Sequence, residues 1–136
     1  MRKQDFLGLG LGLLSPFVFC HAFARPSEPN LPTVTGAAVP LYPPLARAAS
    51  VQGTVILVVV TNGDRVQSTK VVNGHPLLSA AAESNIRTWT LVGNPPQTFD
   101  VTYRYVLSDR CDGNPAVKID FPTSVVICSK PNPPLD

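Results

Sequence analysis

The sequence has 136 residues, 44% of them hydrophobic and 15% charged, with a formal net charge of +2. That length holds one domain with a tail and not two full cores, and so few charges argue against a long acidic or basic disordered region. A net +2 without a cluster of Lys or Arg leaves no electrostatic footprint for nucleic acid, which drops out as a partner.

Residues 1–24 read as a secretory leader. Met1-Arg2-Lys3 is a short basic start, Phe6 to Phe19 is a nearly uncharged apolar run, and Ala22-Phe23-Ala24 supplies a small-x-small cleavage signal between Ala24 and Arg25. The alternative is an uncleaved leader that anchors the chain, because Phe6 to Phe23 approaches the length of a membrane span. Export leaves Cys111 and Cys128 in an oxidising compartment, so a disulfide between them is the first reading. Closing a loop of that size contributes about 3 kcal/mol on the chain-entropy account. A metal site is the rival, but two thiols, one histidine beyond the leader and no paired carboxylates nearby do not supply a closed tetrahedral set.

Residues 25–41 are rich in proline and poor in hydrophobic periodicity, and read as an extended tether of roughly 50–60 Å at most. Leu45 to Ser50 is alanine-rich and follows Pro43-Pro44, which suits a helix start. Gln52 to Thr61 carries the branched run Val55-Ile56-Leu57-Val58-Val59-Val60 and predicts a central strand covered on part of each face. Asn62-Gly63-Asp64 predicts a hairpin turn, with Arg65 to Val72 returning as a more polar strand. After Asn73-Gly74-His75-Pro76, a helix is predicted to about Leu91, with Leu78, Ala82, Ile86 and Trp89 on one apolar stripe and Glu83 and Arg87 paired on the other side. Gly93-Asn94-Pro95-Pro96 ends it. Thr98 to Leu107 alternates strictly, with Phe99, Val101, Tyr103 and Tyr105 facing one way and Asp100, Thr102 and Arg104 the other. Two short strand-like runs follow, Val117 to Phe121 and Ser124 to Cys128, and residues 130–136 form a proline-rich tail expected to fray.

Tyr42-Pro43-Pro44-Leu45-Ala46-Arg47-Ala48 followed by Gly53-Thr54-Val55, then Asn62-Gly63 with Val66, His75-Pro76, Ala81-Ala82, Arg87-Thr88-Trp89 and Tyr103-Arg104-Tyr105, resembles the TonB C-terminal domain family in order and spacing. The resemblance covers about Pro40 to Leu107. It implies an α+β fold over residues 42–107, a small antiparallel sheet with two helices in the order α-β-β-α-β, and a periplasmic location, with inner-membrane anchoring if the leader is retained. It also implies a protein partner. Members hand proton-motive energy to outer-membrane receptors, and this domain binds a short receptor peptide, the TonB box, as an added strand. The last strand is then the receiving edge, which maps to Phe99, Asp100, Val101, Thr102, Tyr103, Arg104 and Tyr105, with Gln52 near a contact to the peptide. Such binding rests on unpaired backbone donors and acceptors.

The chain departs from the family in its leader, its tether and its tail. The leader reads as cleavable, and Ser15 and His21 fall on different helix faces with Pro16 between them, where an energy-coupling anchor carries a serine and a histidine one turn apart. The tether is short for a chain that bridges the envelope. Residues 108–129 form a β extension, in which strands 117–121 and 124–128 returning antiparallel would bring Cys128 level with Cys111. That extension is expected either to pair with the last strand and occupy the peptide's edge, or to pack elsewhere as a disulfide-held flap.

No residue cluster calls for a catalyst or cofactor. His75 lacks a nearby acid or nucleophile and reads as a helix-start residue; Trp89 reads as core; Asp100, Asp109, Asp112 and Asp120 follow no calcium-loop spacing. The sequence therefore points away from an enzyme and toward a binding domain for a protein segment. The competing reading is a self-associating structural envelope module, a homodimer without energy transduction.

Overall fold

The computed structural model describes residues 31–92, 95–113 and 115–134; the leader and its Ala24–Arg25 junction lie outside the described residues. In chain order the elements are β1 (Thr33–Gly36), α1 (Pro44–Ala48), β2 (Gly53–Thr61), β3 (Val66–Asn73), α2 (Pro76–Ile86), β4 (Thr90–Val92), β5 (Thr98–Leu107), β6 (Ala116–Asp120) and β7 (Ser124–Ser129). The fold is α+β. Five strands form one sheet in the order β3-β2-β5-β7-β6, and β1 and β4 form a separate two-stranded ribbon.

The aliphatic run becomes β2, antiparallel to β3 on one side and to β5 on the other. Val55, Leu57 and Val59 are fully buried with Phe99, Val101, Tyr103 and Tyr105 of β5, beneath Leu78, Ala82 and Ile86 of α2. Coverage of β2 on both faces does not follow. Ile56, Val58 and Val60 are only half-buried, because the helices lie on one side and these residues are flanked across the strands by Lys70, Asp100 and Thr102. An antiparallel sheet can leave one face wet.

The hairpin turn is held by Asn62, whose Oδ1 accepts from the Arg65 backbone N–H at 3.1 Å, the side-chain turn that favours Asn there. His75 caps α2: its Nδ1 accepts from the Leu77 N–H at 3.2 Å, with Pro76 in the first turn. The Glu83–Arg87 pair forms at 3.5 Å. The helix stops at Ile86, short of the expected Leu91. Thr88 Oγ1 donates to the Asn85 carbonyl at 2.6 Å, and Leu91 N–H is taken by Asp64 O at 2.9 Å. These bonds draw Thr90–Val92 into pairing with β1. Trp89 thus leaves the helix yet stays in the core, 1% exposed. β1 itself falls within the segment read as tether; its Thr33-Val34-Thr35 alternation was masked by the surrounding prolines.

The C-terminal extension does not continue the meander. β6 takes the outer edge and β7 inserts between β5 and β6, parallel to β5 and antiparallel to β6. Composition accounts for the order. β7 (Ser124–Ser129) carries no charge and buries Val125, Ile127 and Ser129, whereas β6 carries Lys118 and Asp120, both exposed. A charged strand is the better edge and an uncharged one the better interior.

Candidate functional site

The sheet edge expected to receive a partner is β5, and its two halves differ. Backbone groups of even-numbered residues point away from β2. Thr102 N–H donates to Thr123 O and Ser108 N–H to Ser129 O, both at 2.9 Å, and between them the register runs from Thr102↔Ser124 to Leu107↔Ser129. Thr102, Tyr103, Arg104 and Tyr105 are therefore not a free edge: β7 covers them, because Val125 and Ile127 complete the core on this side. Phe99, Asp100 and Val101 pair with β2 on one side, and on the other side no strand accompanies them among the described residues.

Side chains along β5 divide as the alternation predicts. Phe99, Val101, Tyr103 and Tyr105 point into the core, while Asp100 and Arg104 are exposed and Thr102 is half-buried. Tyr103 Oη donates to Asn85 Oδ1 at 2.7 Å, and Asn85 Nδ2 donates to the Ala38 carbonyl at 2.8 Å. The Ala38 N–H in turn reaches Thr88 Oγ1 at 2.9 Å. Asn85 on α2 and Thr88 just past its end thus grip the approach segment ahead of α1 through both backbone groups of Ala38, a connection that no sequence pattern announced. Burial raises the pKa of Tyr103, reinforced by neighbouring Tyr105; burial likewise raises that of Tyr105, reinforced by Tyr42. Both hydroxyls stay neutral through the physiological range.

Gln52 sits on the opposite seam. Its Oε1 accepts from Leu107 N–H at 2.9 Å, standing in for the strand partner that β2, which begins at Gly53, no longer provides. Cys111 and Cys128 form a disulfide. It ties the segment leaving β5 to the end of β7, one position from the terminal Leu107↔Ser129 pair. A second tie holds the same end: Arg47 Nε on α1 donates to Lys130 O at 2.9 Å. At the other end Phe121 lies edge-on to Trp89, with ring centroids 5.1 Å apart. Among the described residues, no three His, Cys, Asp or Glu side chains gather as a metal would require.

The family model for the C-terminal domain of the Gram-negative bacterial TonB protein matches residues 38–108, more than half of the chain. The chain belongs to the TonB C-terminal family. Its TonB C-terminal domain is a protein-interaction domain of the cell envelope, and the matched span runs from Ala38, the residue gripped by Asn85 and Thr88, to the end of β5. Strands β6 and β7 lie beyond the match. Among curated proteins, none matches the chain. No helix of the described residues is long and apolar enough to cross a membrane.

Proposed function

We propose that the chain is a periplasmic TonB-like binding domain that recognises an extended protein segment by β-strand addition at β5, in TonB-dependent outer-membrane transport. The observation that carries this reading is the position of β7. A segment from outside the family's span lies along β5 as an added parallel strand, so the edge and the core beside it accept an extended chain with aliphatic residues at alternate positions. A partner segment enters beside Thr98–Val101, where β5 has no second neighbour among the described residues. The domain uses backbone pairing and two apolar side-chain sites, and no catalytic group.

The same observation gives weight to a second reading, a self-associating envelope module without energy transduction, because part of the receiving edge is already filled. Pull-down from an envelope extract separates the two. Recovery of an outer-membrane receptor, lost on adding excess of a peptide copying that receptor's own TonB box, supports the first reading. Recovery of the chain alone supports the second. Intact mass of the exported protein tests the leader: a chain beginning at Arg25 is expected, and one retaining residues 1–24 would indicate an anchored form.

A further inference from the structure

We infer that β7 is a tethered occupant of the partner's site, and that the Cys111–Cys128 disulfide governs whether an incoming strand can displace it. This rests on the strand-addition reading above and concerns its regulation. Three observations converge. β7 fills β5 only from Thr102 to Leu107, which leaves Thr98–Val101 as a foothold from which a parallel strand can advance. The advance first meets the Ser124 end of β7, where the ladder begins with Thr102 N–H on Thr123 O. The far end is pinned, by the disulfide at Cys128 and by Arg47 on Lys130 O.

A segment that replaces β7 must put aliphatic side chains where Val125 and Ile127 now lie, both fully buried. It must also compete with a strand held in the same molecule, whose effective concentration is on the order of millimolar for a short linker. With the disulfide closed, Cys128 stays beside the end of β5 and exchange stalls before the slot is cleared. Opening it is thiol–disulfide exchange with a dithiol. A thiolate of the dithiol attacks the sulfur of Cys128, the less buried of the two residues, and Cys111 leaves as a thiolate. The second thiol then resolves the mixed disulfide. Both cysteines end as thiols and the dithiol ends oxidised. β7 is then tethered only by its peptide chain, and the incoming strand can run the length of β5.

The test uses the full chain, oxidised, reduced with a dithiol, and as the Cys111→Ser/Cys128→Ser double variant. The probe is a fluorescent peptide of residues 123–130 carrying Cys128→Ser, and a control peptide has Asp in place of both Val125 and Ile127. Fluorescence anisotropy reads binding, and hydrogen exchange at the Thr102 and Ser108 amides reads the β5–β7 ladder. Reduction, or the double variant, should tighten probe binding on the order of 100-fold while the control peptide stays unbound. Equal affinity in oxidised and reduced chains overturns the inference but leaves strand addition standing, confined to the Thr98–Val101 part of β5 that β7 does not cover. A chain that stays folded yet binds the probe in neither state overturns the inference and counts against the strand-addition reading as well. Loss of the thermal unfolding transition in both reduced forms also overturns it, since β6 and β7 would then be indispensable to the fold.

Discussion

Asn85→Ala is the substitution whose cost can be worked most directly. Asn85 is 9% exposed at the end of α2, with its amide oxygen on Tyr103 and its amide nitrogen on Ala38. Truncation leaves the hydroxyl of Tyr103, a fully buried residue, without its acceptor, a loss of about 1–3 kcal/mol. The part-buried bond to Ala38 adds about 0.5–1.5 kcal/mol. A total of about 2–4 kcal/mol corresponds to a fall in Tm on the order of 10–20 °C for a domain near 100 residues. Urea unfolding at neutral pH, followed by Trp89 fluorescence, should show the midpoint falling with an unchanged slope. The decisive comparison is a cycle with Tyr103→Phe. Because the two side chains share one bond, the double variant should be less destabilised than the sum of the singles by at least about 1 kcal/mol. Additivity to within about 0.3–0.5 kcal/mol would refute the claim that Asn85 acts through the Tyr103 hydroxyl.

Three further outcomes are expected. Tyr103 and Tyr105 have folded pKa values raised above the ordinary value of 10, so the unfolded chain loses those protons first. Stability should hold up to about pH 9 and fall as pH rises past about 10; a urea midpoint that is flat or rising above about pH 10 would contradict this. Gly74 has φ of 146°, and a Cβ there would lie 2.8 Å from both Val55 Cγ2 and Ser79 Oγ. Gly74→Ala should therefore cost about 1–3 kcal/mol in thermal or urea unfolding, and a neutral result would show that the β3–α2 connection yields. Gln52→Ala should lower stability by no more than about 1 kcal/mol, through the freed Leu107 amide, and leave peptide binding unchanged. A large loss of affinity at unchanged stability would return Gln52 to a partner-contact role.

The alternation of Phe99, Val101, Tyr103 and Tyr105 and the unbroken Val55–Val60 run made β5 and β2 legible, because burial on a pleated surface writes a period of two into the chain. His75-Pro76 marked the start of α2 for reasons local to a helix terminus. What could not be read was decided by contacts distant in sequence. Trp89 fits the helical stripe as well as it fits the turn that it occupies, and only the pairing of Thr90–Val92 with Thr33–Gly36 ends the helix earlier. The candidate site was legible as a strand but not as half-covered. Nothing in residues 108–129 taken alone says that β7 is parallel to β5, although the charges of Lys118 and Asp120 against the uncharged Ser124–Ser129 run were the available clue to which strand lies inside. Asn85 carried no mark at all, since its partners stand on the approach segment and on β5.

The inside-out order of the extension has a consequence for how a displaced strand returns. Among the described residues, β6 is hydrogen-bonded to the sheet through β7 alone. Cys128 lies beside the end of β5, next to the Val125 and Ile127 positions that fill the core. The Cys111–Cys128 bond thus keeps the way back short for a β7 that has slipped out, because its Cys128 end never leaves the end of β5.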